Sequence, residues 1–173
     1  MRFIEHSLKI TGRLTINKRL GDNLLWTHSQ ENQITSNGLY CIASMIANQP
    51  NYNLTKLGFG DSSTMVSSGD THLNGDWFKI ADFIDDDKTT TESFNKALIY
   101  WHLDYNTDIS GQMLNRGGGG TEEWPVGEAF TIREFALYSA SNTMFNHIAW
   151  TGPDLVMDTD ISLDGNFQIT IAL

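Results

Sequence analysis

The sequence predicts a mainly β fold, an antiparallel β-sandwich of immunoglobulin-like or jelly-roll-like type, with one short α-helix. Three observations carry that expectation. Short stretches rich in β-branched and aromatic residues recur along the chain, separated by Gly, Asn, Asp, Ser and Pro turn signals at regular intervals. Helical spacing of apolar residues is found in one segment alone, near residue 40. The 173 residues are 40% hydrophobic and 11% aromatic, enough for one core, and neither an internal repeat nor a linker divides them. The whole of 1–173 therefore reads as a single sandwich domain.

At the N-terminal end Leu8, Ile10, Leu14 and Ile16 recur at even spacing, as on the buried face of a strand. Gly21-Asp22-Asn23 supplies turn chemistry and Leu24 to Thr27 begins a returning strand, so Leu8 to Thr35 reads as a hairpin leading into a third extended piece. Ser36-Asn37-Gly38 is a helix entry with Ser or Asn as N-cap. Leu39, Ile42, Ala43 and Ile46 form the apolar face of a helix over Gly38 to Ala47, and Gln49-Pro50-Asn51 stops it. Asn53 to Phe59 is a strand, Asp61 to Asp76 a long polar loop, and Trp77 to Ile84 another strand ended by Asp85-Asp86-Asp87.

The run Ala97-Leu98-Ile99-Tyr100-Trp101 is strand-like. Asn106 to Gly127, with Gly117, Gly118, Gly119 and Gly120, reads as the longest weakly structured region. Phe130 to Tyr138 is a strand in which Arg133 and Glu134 interrupt apolar residues. Ser139 to Thr143 is a turn, Met144 to Trp150 a strand and Thr151 to Asp154 a turn. Met157 to Leu163 and Asn166 to Leu173 flank Asp164-Gly165, a two-residue hairpin signal, and place Phe167, Ile169, Ile171 and Leu173 on one face. The total is about eight strands.

Composition excludes several functions. A net charge of -10 makes nucleic acid a poor partner, because nothing could neutralise a run of phosphates. One cysteine, Cys41, permits no internal disulfide and reads as a small core residue on the helix. No apolar run is long enough for a transmembrane helix, and MRFIEHSLKITGR lacks a secretion-signal core. The expectation is a soluble protein made in the cytoplasm, with no membrane partner.

A search for reaction chemistry finds only weak matches. The glycine run lacks the Gly-Lys-Ser/Thr and following helix of a phosphate loop, and Glu122 and Glu123 would repel phosphate. It reads as a flexible loop or as a mobile arm reaching a neighbour, with Trp124 as apolar anchor. Asp85, Asp86 and Asp87 alternate sides if extended, and Asp158, Asp160 and Asp164 lack the third closely placed oxygen and the distal Glu of a calcium loop, with Asp158 and Asp160 read as a surface pair on the outer face of a strand. The histidines His6, His28, His72, His102 and His147 fall in five segments without zinc-site spacing. Glu122, Glu123 and Glu128 near Trp124 could form a glycosidase pair, but a small chain has little room for the groove. Trp77, Trp101, Trp124 and Trp150 could stack on sugars, although large aromatics more often fill cores and interfaces. No catalytic, cofactor or metal site is expected, and the chain reads as a binding or structural protein. Buried among apolar residues, Glu134 requires a partner, which is Arg133, a loop amide or a group on another subunit.

Several motifs stand in a fixed order: ENQITSNGLYCIASMIA at Glu31 to Ala47, KLGFGDSS, GDTHL, then FTIREFALYSA and a closing hairpin. This order resembles a diverged group of small tailed-bacteriophage virion proteins associated with the tail, collar or fibre. The matching residues are Asn32, Ile34, Gly38, Leu57, Gly58, Gly60, Asp70, Thr71, Leu73, Thr131, Ile132, Glu134 and Leu137. Phe59 and Asp61 replace small residues of that pattern and Ala136 replaces a glycine. The resemblance implies a non-enzymatic virion component, synthesised in the host cytoplasm and mounted at the neck, tail or fibre base. It further implies a cyclic homo-oligomer whose loops Asp61 to Asp76 and Asn106 to Gly127 dock on symmetric copies or on another virion protein. Capsid decoration and recognition of host glycans are the alternative roles.

Overall fold

The computed structural model describes residues 9–93 and 95–172, so the expectations placed on Leu8 and Leu173 lie outside the described residues. The described chain is mainly β and antiparallel, with a sandwich-like layering. It opens with two long paired strands, β1 (Lys9–Leu20) and β2 (Asn23–Ile34), joined by a turn at Gly21-Asp22. The third extended piece is therefore absent, and β2 runs directly into the helix. Helix α1 (Ser36–Ile46) begins earlier than the sequence suggests, because Thr35 and not Ser36 or Asn37 is the N-cap: its Oγ1 accepts from the Gly38 amide at 3.0 Å. The same hydroxyl is fully buried and donates to the Met144 and Phe145 carbonyls at 3.0 and 3.1 Å, docking the helix start on the sheet.

The next strands are β3 (Leu54–Gly60), β4 (Trp77–Ala81), β5 (Thr90–Ser93) and β6 (Lys96–Asp104). A four-residue helix, α2 (Tyr105–Asp108), adds a second helix to the one expected. The region read as weakly structured contains a hairpin, β7 (Met113–Arg116) and β8 (Thr121–Glu123), with the glycines as its turn. The Phe130 to Tyr138 strand is two strands, β9 (Phe130–Ile132) and β10 (Glu134–Ser139), because the chain changes sheet at Arg133. There the Arg133 amide donates to the Gly60 carbonyl at 2.8 Å, while Trp150 donates to the Arg133 carbonyl. β11 (Asn146–Ala149) and β12 (Leu155–Met157) follow.

The Asp164-Gly165 hairpin does not exist. β13 (Ile161–Ala172) runs straight through it, pairing Asp164 with Asn17 and Gly165 with Ile16. A Cβ at Gly165 would lie 2.2 Å from the Thr15 carbonyl and 2.8 Å from the Trp101 ring, so close packing demands glycine, not a turn. The turn falls instead beside Asp158 and Asp160, which are not on an outer strand face; Asp160 has φ 66°.

One ladder runs β5-β6-β13-β1-β2-β11-β10-β3-β4-β7-β8, and β12-β9 form a separate pair. Its halves face each other: Leu14, Trp101 and Phe167 from the first share a buried cluster with Phe59, Phe135 and Ile148 from the second. The Trp101 and Phe135 rings lie 5.7 Å apart across that core. Strand β1 alternates buried and open, whereas all six residues of β10 are buried. A second layer of chain must therefore cover the other face of β10.

Candidate functional site

That cover is the polar loop 61–76. On the covered face of β10 stand Glu134, Ala136 and Tyr138, and the register sets Gly60 opposite Glu134 and Gly58 opposite Ala136. The glycines explain themselves by what lies above them. A Cβ at Gly58 would meet the Tyr138 ring at 2.7 Å and Leu73 at 3.0 Å; one at Gly60 would meet Glu134 Oε1 at 2.3 Å. Leu73 packs there with Ala136, Tyr138 and Met144, and burying such a side chain contributes about 2 kcal/mol. On the opposite face Leu57 and Leu137, paired in register, enter the main core.

Next to this apolar plug lies a buried ionic chain. Glu134 is 1% exposed; its Oε1 accepts from the Gly75 amide at 2.7 Å and its Oε2 from Asn74 at 2.9 Å. Glu134 Oε2 also lies 2.8 Å from His147 Nε2, and His147 Nδ1 lies 2.6 Å from Asp70 Oδ2. Asp70 in turn accepts from the Ser67 amide at 2.9 Å. A neutral imidazole carries one N–H, so carboxylate oxygens at both ring nitrogens favour the imidazolium. Burial alone would lower the His147 pKa, but the hydrogen bonds and charges of Glu134 and Asp70 outweigh it and raise the value. Burial pulls the Asp70 carboxyl upward, and the Ser67 amide together with His147 brings it below its ordinary value. Burial, then the Glu134 charge, pushes the Tyr138 phenol well above its ordinary range.

The result is a lock holding the loop against the sheet. Its base is closed by the Asp61 amide to the Trp77 carbonyl and by Asp61 Oδ1 accepting from the Trp77 amide, both at 3.1 Å. The Ser36 amide donates to the Ser68 carbonyl at 2.7 Å, which ties the loop to the start of α1. Met65, at the outer end, is 87% exposed.

The structure brings Gly58, Gly60, Asp70, Leu73 and Glu134 into this one assembly, with Leu137 on the opposite face of β10 in the main core. Asn32 and Gly38 sit elsewhere: Asn32 lies over Gly12 of β1, and Gly38 lets α1 touch the Phe145 carbonyl, 2.0 Å from where a Cβ would be. Ile132 is in the main core, and Thr71 is exposed with its hydroxyl 3.1 Å from His72 Nδ1. Of the three partners open to Glu134, loop amides are those found; Arg133 is exposed and forms no ion pair with it. His147 was missed by sequence reasoning. The available signal was a lone ionisable group within an apolar strand, the counterpart of Glu134 in another.

Comparison with protein-family models, with curated proteins and with solved structures yields no match. What the site can do follows from its geometry. Both His147 nitrogens are occupied by carboxylates and the ring has no exposure, so it has no access to a substrate proton. Among the described residues no group of three or more His, Cys, Asp and Glu side chains is arranged to hold a metal ion. Burial raises the Cys41 thiol pKa, against nucleophile chemistry. A depression of about 550 Å³ on the outer face of β1, β6 and β13 contains none of the motif residues. Within it Arg19 pairs with Asp164 at 2.6 Å and Lys88 with Asp85 at 2.7 Å.

Trp124 packs within its own chain. It is half-buried against Trp77 and Phe130, with ring centroids 5.1 and 5.0 Å apart, and its indole N–H donates to the Glu128 carbonyl at 2.7 Å, which anchors its loop to the core. The glycines remain at the surface: a Cβ on Gly118, Gly119 or Gly120 meets nothing within 4 Å. Trp101 is in the core, and Trp77 and Trp150 pack against it partly buried. Among the described residues no helix is long and apolar enough to cross a membrane.

Proposed function

We propose that this chain is a non-enzymatic structural protein of a tailed-bacteriophage particle, assembling at the neck, tail or fibre base through protein–protein contacts. One observation carries the reading. Five of the residues that resemble the virion group, Gly58, Gly60, Asp70, Leu73 and Glu134, gather under a sixteen-residue loop and hold it on the outside of a sheet. A loop fixed by an ionic lock is suited to presenting a constant surface, since little ordering entropy remains to be lost on docking.

Particle imaging tests this directly. With the chain labelled, density is expected at the neck or tail in a copy number set by the local rotational symmetry. Copies spread over the shell lattice would replace the tail placement with capsid decoration. Selective retention on a glycan array, or substrate turnover abolished by Glu123→Gln, would overturn a purely architectural role.

A further inference from the structure

We infer that β2 offers an open strand edge to a second copy of this chain, which fills it with the edge of its own β8. Strand β11 takes up the outer edge of β2 only at Gln33 and Ile34, and among the described residues no other strand pairs with Asn23 to Asn32 on that side. The Thr35 amide points to the Phe145 carbonyl, so by strand alternation Thr27 and Ser29 turn their amides to the same open side.

Natural edges are normally blunted by charge, proline or a covering segment. From His28 onward this one is flanked, since Gln30 bonds the Ala149 carbonyl and the Thr151 amide and Gly152 lies against His28, but Asn23-Leu24-Leu25-Trp26-Thr27 contains no Lys, Arg, Asp, Glu or Pro and no strand covers its edge among the described residues. Leu24 and Leu25 are 52% and 49% exposed. An unprotected edge with exposed aliphatics is a template for strand addition.

Charge selects the occupant. The neighbouring strand β1 carries four basic residues, Lys9, Arg13, Lys18 and Arg19, the last paired with Asp164, against Asp22 in the turn and Glu31 on β2, in a chain of net charge -10. β8 is the last strand of the ladder, with its outer edge open, all three residues exposed and two of them glutamates. Beside it Met113 and Val126 are 54% and 80% exposed. The Trp124 amide donates back to the Gln112 carbonyl, so Thr121 and Glu123 turn their backbone groups outward. A basic-flanked edge and an acidic edge on different sides of one chain make a heterologous contact, which closes into a ring when the rotation permits. The inference deepens the self-association within the proposed function and rests on it.

The test is light-scattering mass of the purified full chain over a range of concentration, with thermal unfolding as folding control. The expected mass is that of three or more chains. Glu123→Lys and Lys18→Glu each raise the dissociation concentration about tenfold or more, and the Lys18→Glu/Glu123→Lys pair recovers most of the loss. Thr27→Pro, or Leu25→Lys where the proline prevents folding, gives single chains. A dimer disrupted at β2 but indifferent to Glu123→Lys would overturn the β8 assignment in favour of a two-fold β2 contact. An oligomer indifferent to every variant would overturn the edge while leaving the virion reading intact. Single chains at every concentration would overturn the inference, and particle imaging would then judge the virion role separately.

Discussion

Glu134→Ala tests the lock most directly. The substitution leaves the Asn74 and Gly75 amides without their acceptor and leaves His147 between Asp70 and an empty space. A buried amide left unpaired costs about 1–3 kcal/mol. Breaking a buried ion pair by removing one partner costs about 3–5 kcal/mol. The two overlap, since His147 keeps Asp70 and the exposed Asn74 can turn to water, so the expected loss is about 4 kcal/mol. For a chain of this length that corresponds to a fall in Tm of about 8–16 °C. Glu134→Gln keeps one amide acceptor and loses the charge, and about half the loss is expected. Thermal and urea unfolding at neutral pH read the stability, and hydrogen exchange at Asn74 and Gly75 reads the loop. A loss below about 1 kcal/mol, or unchanged exchange at those two amides, would refute the claim that Glu134 holds the loop.

Three other expectations follow from the same geometry. Gly60→Ala must move the Glu134 carboxylate, so it destabilises by about 2–3 kcal/mol, and the Gly60→Ala/Glu134→Ala double variant loses clearly less than the sum; strict additivity in urea unfolding would break the link. Stability depends on pH with two signs. His147, raised above 6.5, stabilises fully below that value and loses its contribution as pH climbs through the raised pKa, whereas Asp70, lowered below 3.8, contributes above that value and loses it on further acidification. The lock is thus strongest at mildly acidic pH, and in His147→Gln the alkaline decline in Tm should largely vanish. Thr35→Ala removes both the cap and the buried hydroxyl contacts of α1, with an expected loss of about 1–2 kcal/mol by chemical denaturation.

How far the sequence reached can be judged element by element. Alternation in β1 exposed its period because one face of that strand is wet, and the turn at Gly21-Asp22 lay between two such runs. Helix α1 was legible by its spacing, but its buried side was not. The packed residues are Gly38, Cys41 and Ser44, small enough for close approach, while Leu39 and Ile46 stand 52% and 82% exposed. Hydrophobicity chose the wrong face because contact with the Phe145 backbone selected for size. Gly165 misled for the same reason: one residue type serves a turn and a close approach, and sequence alone does not say which.

The candidate site divides along the same line. Composition and local pattern determined by themselves that the protein is mainly β, that Glu134 stands in an apolar strand and needs a partner, and that 61–76 is a loop. Those are properties of neighbouring residues, and the chain carries them wherever it folds. Only tertiary structure decided that His147 answers Glu134, that Asp70 completes the chain of charge, and that Gly58 and Gly60 make room for what lies above them. Their meeting depends on the β2–β11–β10–β3 order of strands, joined through residues up to 77 positions apart in sequence. Strand order is set by the packing of the whole core, and no local stretch of residues encodes it.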